Sequence, residues 1–242
     1  FRMPCCDSLN TVSPRFFSEI FNRTTPAGRY LQIDTSVFNV FTSDDPDIPR
    51  ELVQDADGSE RFLKYIPHNS GGPYDAFVNT IRNYPYPYII NRTCWEFPCL
   101  APSDWEGQNL HGKNNPRTLE DWKAALDITV IKQGVMCLVF HPHGWIQNSQ
   151  LVELIDHAVN KHGQKVKFLN FREANDRLAQ HLVGRDGFLR RDDRQYPAPF
   201  RNDAGNRLLD INHDGYQDVL SGLGGKDGST TGYVKIWQPG KR

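Results

Sequence analysis

The chain has 242 residues, 38% of them hydrophobic and 24% charged, and a formal net charge of -1. That is an ordinary globular balance, with apolar surface enough for one large domain or a medium domain plus a small one. Near-neutrality excludes a broad nucleic-acid footprint and polybasic membrane attachment, and no apolar run approaches the length of a membrane span.

In chain order, Ser13 caps a first helix, with Pro14 at its first position and Phe16, Phe17, Ile20 and Phe21 on its apolar face. A strand-like stretch follows over 29–41. Residues 43–91 are polar and rich in Asp, Pro and Gly, and they read as loops. That is long for a structureless loop inside a compact domain, so it is either a substrate-binding insertion or a mobile excursion. The next segment, CWEFPCLAPSDWEGQNLHG, reads as a loop carrying Trp95 and Trp105 beside Glu96, Asp104 and Glu106. Aromatic faces next to carboxylates suit sugar binding; the alternative, and the commoner fate of tryptophan, is that Trp95 and Trp105 are core anchors. Five cysteines leave the redox state open. Cys94 and Cys99 are spaced to close a small loop, and no Cys/His spacing suits a structural zinc.

From Thr118 the pattern sharpens. TLED has a capping-box form, with Thr118 as cap and Asp121 three residues on. A helical stripe of Trp122, Ala125, Leu126, Thr129 and Val130 then ends at Gly134. The run VMCLVFHPHGW at 135–145 reads as a buried strand that delivers His141 and His143 where it leaves the core. Pro142 restricts His141 to extended geometry. The stretch presents an acid or base to a pocket, or it is a His-Pro turn that ends a strand. Asn148 or Ser149 caps the next helix, with Leu151, Leu154, Ile155, Ala158 and Val159 at helical spacing, up to Gly163. Residues 165–171 alternate as a strand, and 173–182 form another amphipathic helix. Helix, strand, helix, strand and helix joined by short links indicate an α/β fold with parallel strands, and a barrel is one way to close it. In such a barrel the functional loops follow the strand C-termini, where His141 and His143 lie.

Residues 184–206 read as a linker. The segment 207–242 then contains LLDINHDGYQDVLSG. Asp210, Asn212 and Asp214 at alternate positions, Gly215 at the turn, the Tyr216 carbonyl and Asp218 suit a calcium loop. The position where an EF-hand has Glu is Ser221, and the flanks look like strands rather than helices.

Two resemblances follow from these residues. LVFHPHGW with the helix, strand and helix after it resembles the end of a polysaccharide deacetylase domain of the NodB-homology, carbohydrate esterase family 4 type. FRMPCC is similar to that family's Arg-x-Pro motif through Arg2 and Pro4, and Asp104-Trp105 is similar to its Asp-Trp motif. The resemblance covers about residues 1–183 and implies a partial or distorted (β/α) barrel. It also implies hydrolysis of the C–N bond of an N-acetylated glycan or related amide. In that chemistry a divalent metal, usually zinc, stabilises the oxyanion and activates water. His141 is then the acid, Asp104 its orienting carboxylate and Arg2 the partner of the catalytic base. Trp105, Trp145, Trp95 and His143 are candidate substrate-binding residues. The 207–237 segment resembles an FG-GAP/VCBS repeat, the calcium-binding blade of integrin-like propellers.

The family's Thr-Phe-Asp-Asp and His-x-x-x-His metal motifs do not occur, and both belong upstream of Arg2. The expectation is therefore an internal piece of a longer secreted, periplasmic or cell-envelope hydrolase, with the zinc ligands outside it. The competing expectation is a non-catalytic, calcium-dependent protein that binds carbohydrate or a protein partner. Because fold does not fix substrate, a small-amide or cyclic-imide hydrolase is a third.

Overall fold

A computed structural model describes residues 2, 33–66, 80–90, 94–178, 207–209, 211, 218–224 and 230–235. The expected helix after Ser13 and the linker at 184–206 lie outside the described residues. What is described is a mixed α/β structure with small parallel sheets.

Two extended stretches run parallel through the centre. β1 (Ile33–Asp34) pairs with β5 (Cys94–Glu96), and β2 (Phe38–Val40) pairs with β6 (Cys99–Leu100). Between these registers, Thr35, Ser36 and Val37 on one strand face Phe97 and Pro98 on the other. This is a bulge with one extra residue, which bends the strand and re-aims its side chains. β3 (Thr80–Arg82) adds in parallel on the other side of β2, and β4 (Tyr88–Ile90) pairs antiparallel with β5. Next to β6 the 135–140 segment joins by a single parallel bridge, Cys99 to Cys137, with Leu100 N–H donating to the Cys137 carbonyl at 2.9 Å. The expected strand is thus an extended segment with one bridge, and Cys137 and Val139 point into the core.

The segment expected to be a loop at 104–111 is instead α2 (Asp104–His111), which follows the short α1 (Arg50–Val53). Its stop signal at Gly112 and its capping box, Ser103 with Glu106, were in the sequence. α3 (Pro116–Ile131) starts earlier than TLED implies. Asn115 is the cap, accepting from Arg117 N–H at 2.9 Å, and Pro116 takes the first position. Thr118 is buried against Gly107, where an added Cβ would meet its side chain at 2.6 Å. α3 ends with Gln133 at φ 53°, so the left-handed residue is not the glycine beside it. Gly134 is needed for another reason, because a Cβ there would lie 2.7 Å from the Pro85 carbonyl oxygen.

α4 (Asn148–His162) is capped by Gln147, paired reciprocally with Gln150, rather than by Asn148 or Ser149. Leu154 and Ala158 are buried, whereas Ile155 and Val159 face outward. The expected strand at 165–171 is overturned. Among the described residues nothing pairs with it, Phe168 is 59% exposed, and α5 (Phe171–Leu178) begins at its end.

α3 is buried on two sides. Ala124, Ala125 and Ile128 join the sheet-centred core with Phe38, Val40 and Phe97. Leu119, Trp122 and Leu126 pack on Ile146, Leu154 and Ala158 of the α4 side. Trp122 is fully buried and its indole N–H donates to the Pro102 carbonyl at 2.8 Å, which meets the polar need of a core tryptophan. Downstream, β7 (Arg207–Leu209), β8 (Asp218–Gly224) and β9 (Thr230–Lys235) form an antiparallel meander. No helix among the described residues is long and apolar enough to cross a membrane.

Candidate acid-base site

Asp104 and His141 both follow the C-terminal ends of neighbouring parallel segments. The capping box at Ser103 fixes Asp104 as the first residue of α2, and its own N–H donates to the Val139 carbonyl at 3.2 Å. The carboxylate sits at a helix N-terminus, where the macrodipole favours negative charge. Its Oδ2 accepts the His141 backbone N–H at 2.7 Å, and its Oδ1 lies 2.8 Å from His141 Nδ1. A buried acid thus grips one residue twice. It sets the ring's orientation and puts the proton on Nδ1, because an ionised carboxylate only accepts. Nε2 makes no hydrogen bond to any described residue and is the nitrogen left to take or give a proton.

The ring is framed by aromatics. His143 stacks on His141 with centroids 5.7 Å apart and planes 14° apart, and Trp145 lies 5.0 Å from His141 and 4.9 Å from His143. Gly144 at φ 73° provides the turn that folds Trp145 back over the histidines. The Trp145 carbonyl accepts from Asn114 N–H at 2.8 Å, tying the loop to the entry of α3.

The other expected residues lie elsewhere. Trp105, on α2, is 38% exposed, whereas Trp95 is 6% exposed and packs in the main core, so its ring presents no free face. Arg2 donates through Nε to the Thr35 carbonyl at 3.0 Å and to Thr35 Oγ1 at 2.8 Å, ahead of β2. Asp104 and His141 instead follow the far ends of the strands. Cys99 is buried with its thiol on the Val37 carbonyl at 3.2 Å. Burial pushes the Cys137 thiol up to about 12, which makes it unreactive at neutral pH. Of the calcium-loop residues, Asp210, Asn212, Asp214 and Tyr216 lie outside the described residues, and Asp218 opens β8.

Three clusters were not anticipated. Beside Arg2, Asp34 and Glu96 are register partners, both fully buried. Asp34 Oδ2 accepts Ser36 N–H at 3.0 Å and Glu96 Oε1 accepts Val37 N–H at 2.9 Å, both backbone donors of the bulge. Asp34 Oδ1 and Glu96 Oε2 are left without a donor. A proton held between the two carboxyls satisfies both, and burial, followed by the charge of Asp34, pushes Glu96 well above the usual carboxylate range.

The second cluster contains Asp121, which does not turn back to cap α3. It accepts the Tyr65 hydroxyl proton and pairs with Arg117 Nε at 3.2 Å, while Tyr65 Oη lies 2.8 Å from His111 Nε2. Burial raises Asp121, against the opposing pull of Tyr65 and Arg117. Burial, helped by Asp121, raises Tyr65, and burial lowers His111. This network ties the 61–65 segment to α2 and α3.

The third cluster joins α3 to α4. His157 Nε2 lies 2.9 Å and His162 Nε2 2.6 Å from Asp127 Oδ1, and Lys161 Nζ lies 2.8 Å from Asp127 Oδ2. The three donor atoms of Asp127, His157 and His162 lie within 4.8 Å of one another, an arrangement compatible with a divalent metal.

Comparison with protein-family models, with curated proteins and with solved structures finds no match.

Among the described residues, no donor set for a catalytic metal surrounds the dyad. Both Asp104 oxygens are committed to His141, and the only described group of three close ligand atoms is the one on Asp127. That group lies along α3 and α4, away from the helix ends that contact the His141 loop.

Proposed function

We propose that the chain is part of a polysaccharide-deacetylase-like hydrolase that cleaves the C–N bond of an N-acetylated glycan or a similar amide. The observation that supports this most is the doubly hydrogen-bonded Asp104–His141 pair, whose Nε2 bonds to no described residue. In this reading His141 Nε2 protonates the departing amine, and Asp104 keeps the ring in the tautomer and orientation that step requires. Trp145 and His143 offer flat faces for the C–H side of a sugar ring. No step is assigned to a metal, because the described residues near the dyad supply no ligand set for one. Zinc in the reaction would need ligands from outside them. The scaffold in this reading is a distorted (β/α) barrel, of which the parallel strands β3, β2, β6 and the 135–140 segment form one wall.

The C-terminal meander supports a calcium module. β7 and β8 pair antiparallel, and the 210–218 string runs from one to the other in sequence, as the calcium-binding string does in a blade of this type. Calcium should raise the melting temperature of this module, and Asp214→Ala should remove the effect. No calcium response would reduce the loop to an ordinary turn.

The hydrolase reading is tested by amine release from chitooligosaccharide or peptidoglycan, comparing the chain with His141→Ala. Release by the parent chain that falls by about 100-fold or more in the variant fits a general acid. Equal release by both would remove His141 from the chemistry. Glycan binding without any amine release, by a chain extended to carry the expected zinc motifs, would favour a calcium-dependent carbohydrate-binding or adhesion protein in place of an enzyme.

A further inference from the structure

We propose that Asp127, His157 and His162 form a divalent-cation site of zinc type that clamps α4 onto α3, separate from the Asp104–His141 pair and independent of its role. Both histidines turn Nε2 toward the same carboxylate oxygen, at 2.9 and 2.6 Å, with ring planes 76° apart. Two imidazoles and a carboxylate are a donor set that zinc accepts, with a fourth position left to water. In a tetrahedral site with bonds of ~2.0–2.1 Å, ligand atoms stand ~3.3 Å apart. Each histidine therefore needs to move back from Asp127 by only ~0.4–0.7 Å to admit the ion.

The surroundings favour a cation. Lys123–Glu153 at 2.5 Å and Asp127–His157 further along show that α3 and α4 run side by side in the same direction. The cluster sits in the last turns of both helices, so both macrodipoles present their negative ends to it. Asp127 is buried, and its second oxygen is held by Lys161, which orients the carboxylate as an outer-shell partner does. The Lys161 side chain is 54% exposed, so its ammonium can swing into solvent when a cation arrives. Asp127 is eleven residues beyond Pro116 and His157 nine beyond Asn148. At helical rise that places the cluster ~13–16 Å along the helices from the ends that meet the His141 loop.

The test uses the full chain, with calcium saturating so that the oxygen-rich loop does not compete. Co²⁺ titrated into the protein should give one equivalent of the intense visible absorption of a tetrahedral site. Zn²⁺ should displace it and raise the melting temperature. Outer-shell changes alone weaken metal sites by about 10–100-fold, so His157→Gln and His162→Gln, which delete ligands, should weaken binding by at least about 100-fold. If His162→Gln fails to fold, His157→Gln, at a partly exposed position, carries the test. Asp104→Asn should bind Co²⁺ as the parent does. Weak octahedral absorption only, unchanged binding in His157→Gln, or loss of the site in Asp104→Asn would each overturn the proposal.

Discussion

Replacing Asp104 by Asn tests the local logic of the dyad without requiring turnover. Asp104 accepts two hydrogen bonds from one residue, a backbone N–H at 2.7 Å and the imidazole Nδ1 at 2.8 Å. An amide at the same place has only one acceptor atom. The backbone N–H can only donate, so the Asn oxygen must take it, and the Asn NH₂ then faces Nδ1. Nδ1 is forced to accept and the ring proton moves to Nε2. The variant should therefore invert the neutral tautomer of His141, read by long-range ¹H–¹⁵N correlation with His141→Gln to assign the resonance. The energetic cost is modest. Hydrogen bonds to a charged group contribute ~1.5–3 kcal/mol each and neutral ones ~0.5–1.5. The variant also loses ~0.3–1 kcal/mol of helix-terminus attraction, offset by the lower cost of burying an amide. The net loss in urea unfolding should be about 2 kcal/mol. In an active preparation kcat should drop by about 10²–10⁴-fold with KM little changed. An unaltered Nδ1–H tautomer in Asp104→Asn would refute the reasoning.

Other consequences can be measured in the same unfolding experiments. Glu96 is protonated in the native state above its ordinary value of 4.5, so the native state there binds more protons than the unfolded chain. Stability should then fall as pH rises from about 4.5 toward the raised native value, by up to ~1.4 kcal/mol per pH unit for one proton. Glu96→Gln should flatten that slope, and an unchanged slope would show that the Asp34–Glu96 pair does not share a proton. Gly134→Ala should cost about 1–3 kcal/mol, because its Cβ would meet both the stiff ring and the carbonyl oxygen of Pro85 at 2.6–2.8 Å. An unchanged urea midpoint would contradict that contact. On α4, Leu154→Ala should cost about 2–4 kcal/mol and Val159→Ser less than about 0.5, since only the first is buried. Equal effects would mean the helix is rotated from the orientation described.

The sequence revealed most where a pattern is local. The apolar spacing of α3 and α4 marked both helices, although their caps proved to be Asn115 and Gln147. The pairing of Asp104 with His141 was readable only because two short stretches resemble motifs of one family. α2 was read as a loop because Trp105 and Leu110, its two large apolar side chains, are both exposed and leave no stripe. The better signal was Ser103 followed by Glu106, a capping box. The strand expected at 165–171 alternates correctly, but alternation does not supply a neighbouring strand to pair with. The acid pair joins register partners 62 residues apart in sequence and takes its backbone donors from the bulge that follows. His157 and His162 are the only pair close to a His-x-x-x-His spacing, but they lie on a late helix out of that motif's order and, five apart, stand about 140° around it. Asp127 brings them together from α3, 30 and 35 residues away in sequence.

The central claim is that His141, held by Asp104, donates the proton that releases the amine. The most direct measurement is the pH–rate profile of amine release from an N-acetylated oligosaccharide, for the parent chain and for His141→Ala. A general acid predicts a parent rate that declines on the alkaline side of the profile, and a variant slowed by about 100-fold or more that has lost that decline. A variant that keeps both the parent rate and the parent alkaline limb would contradict the account.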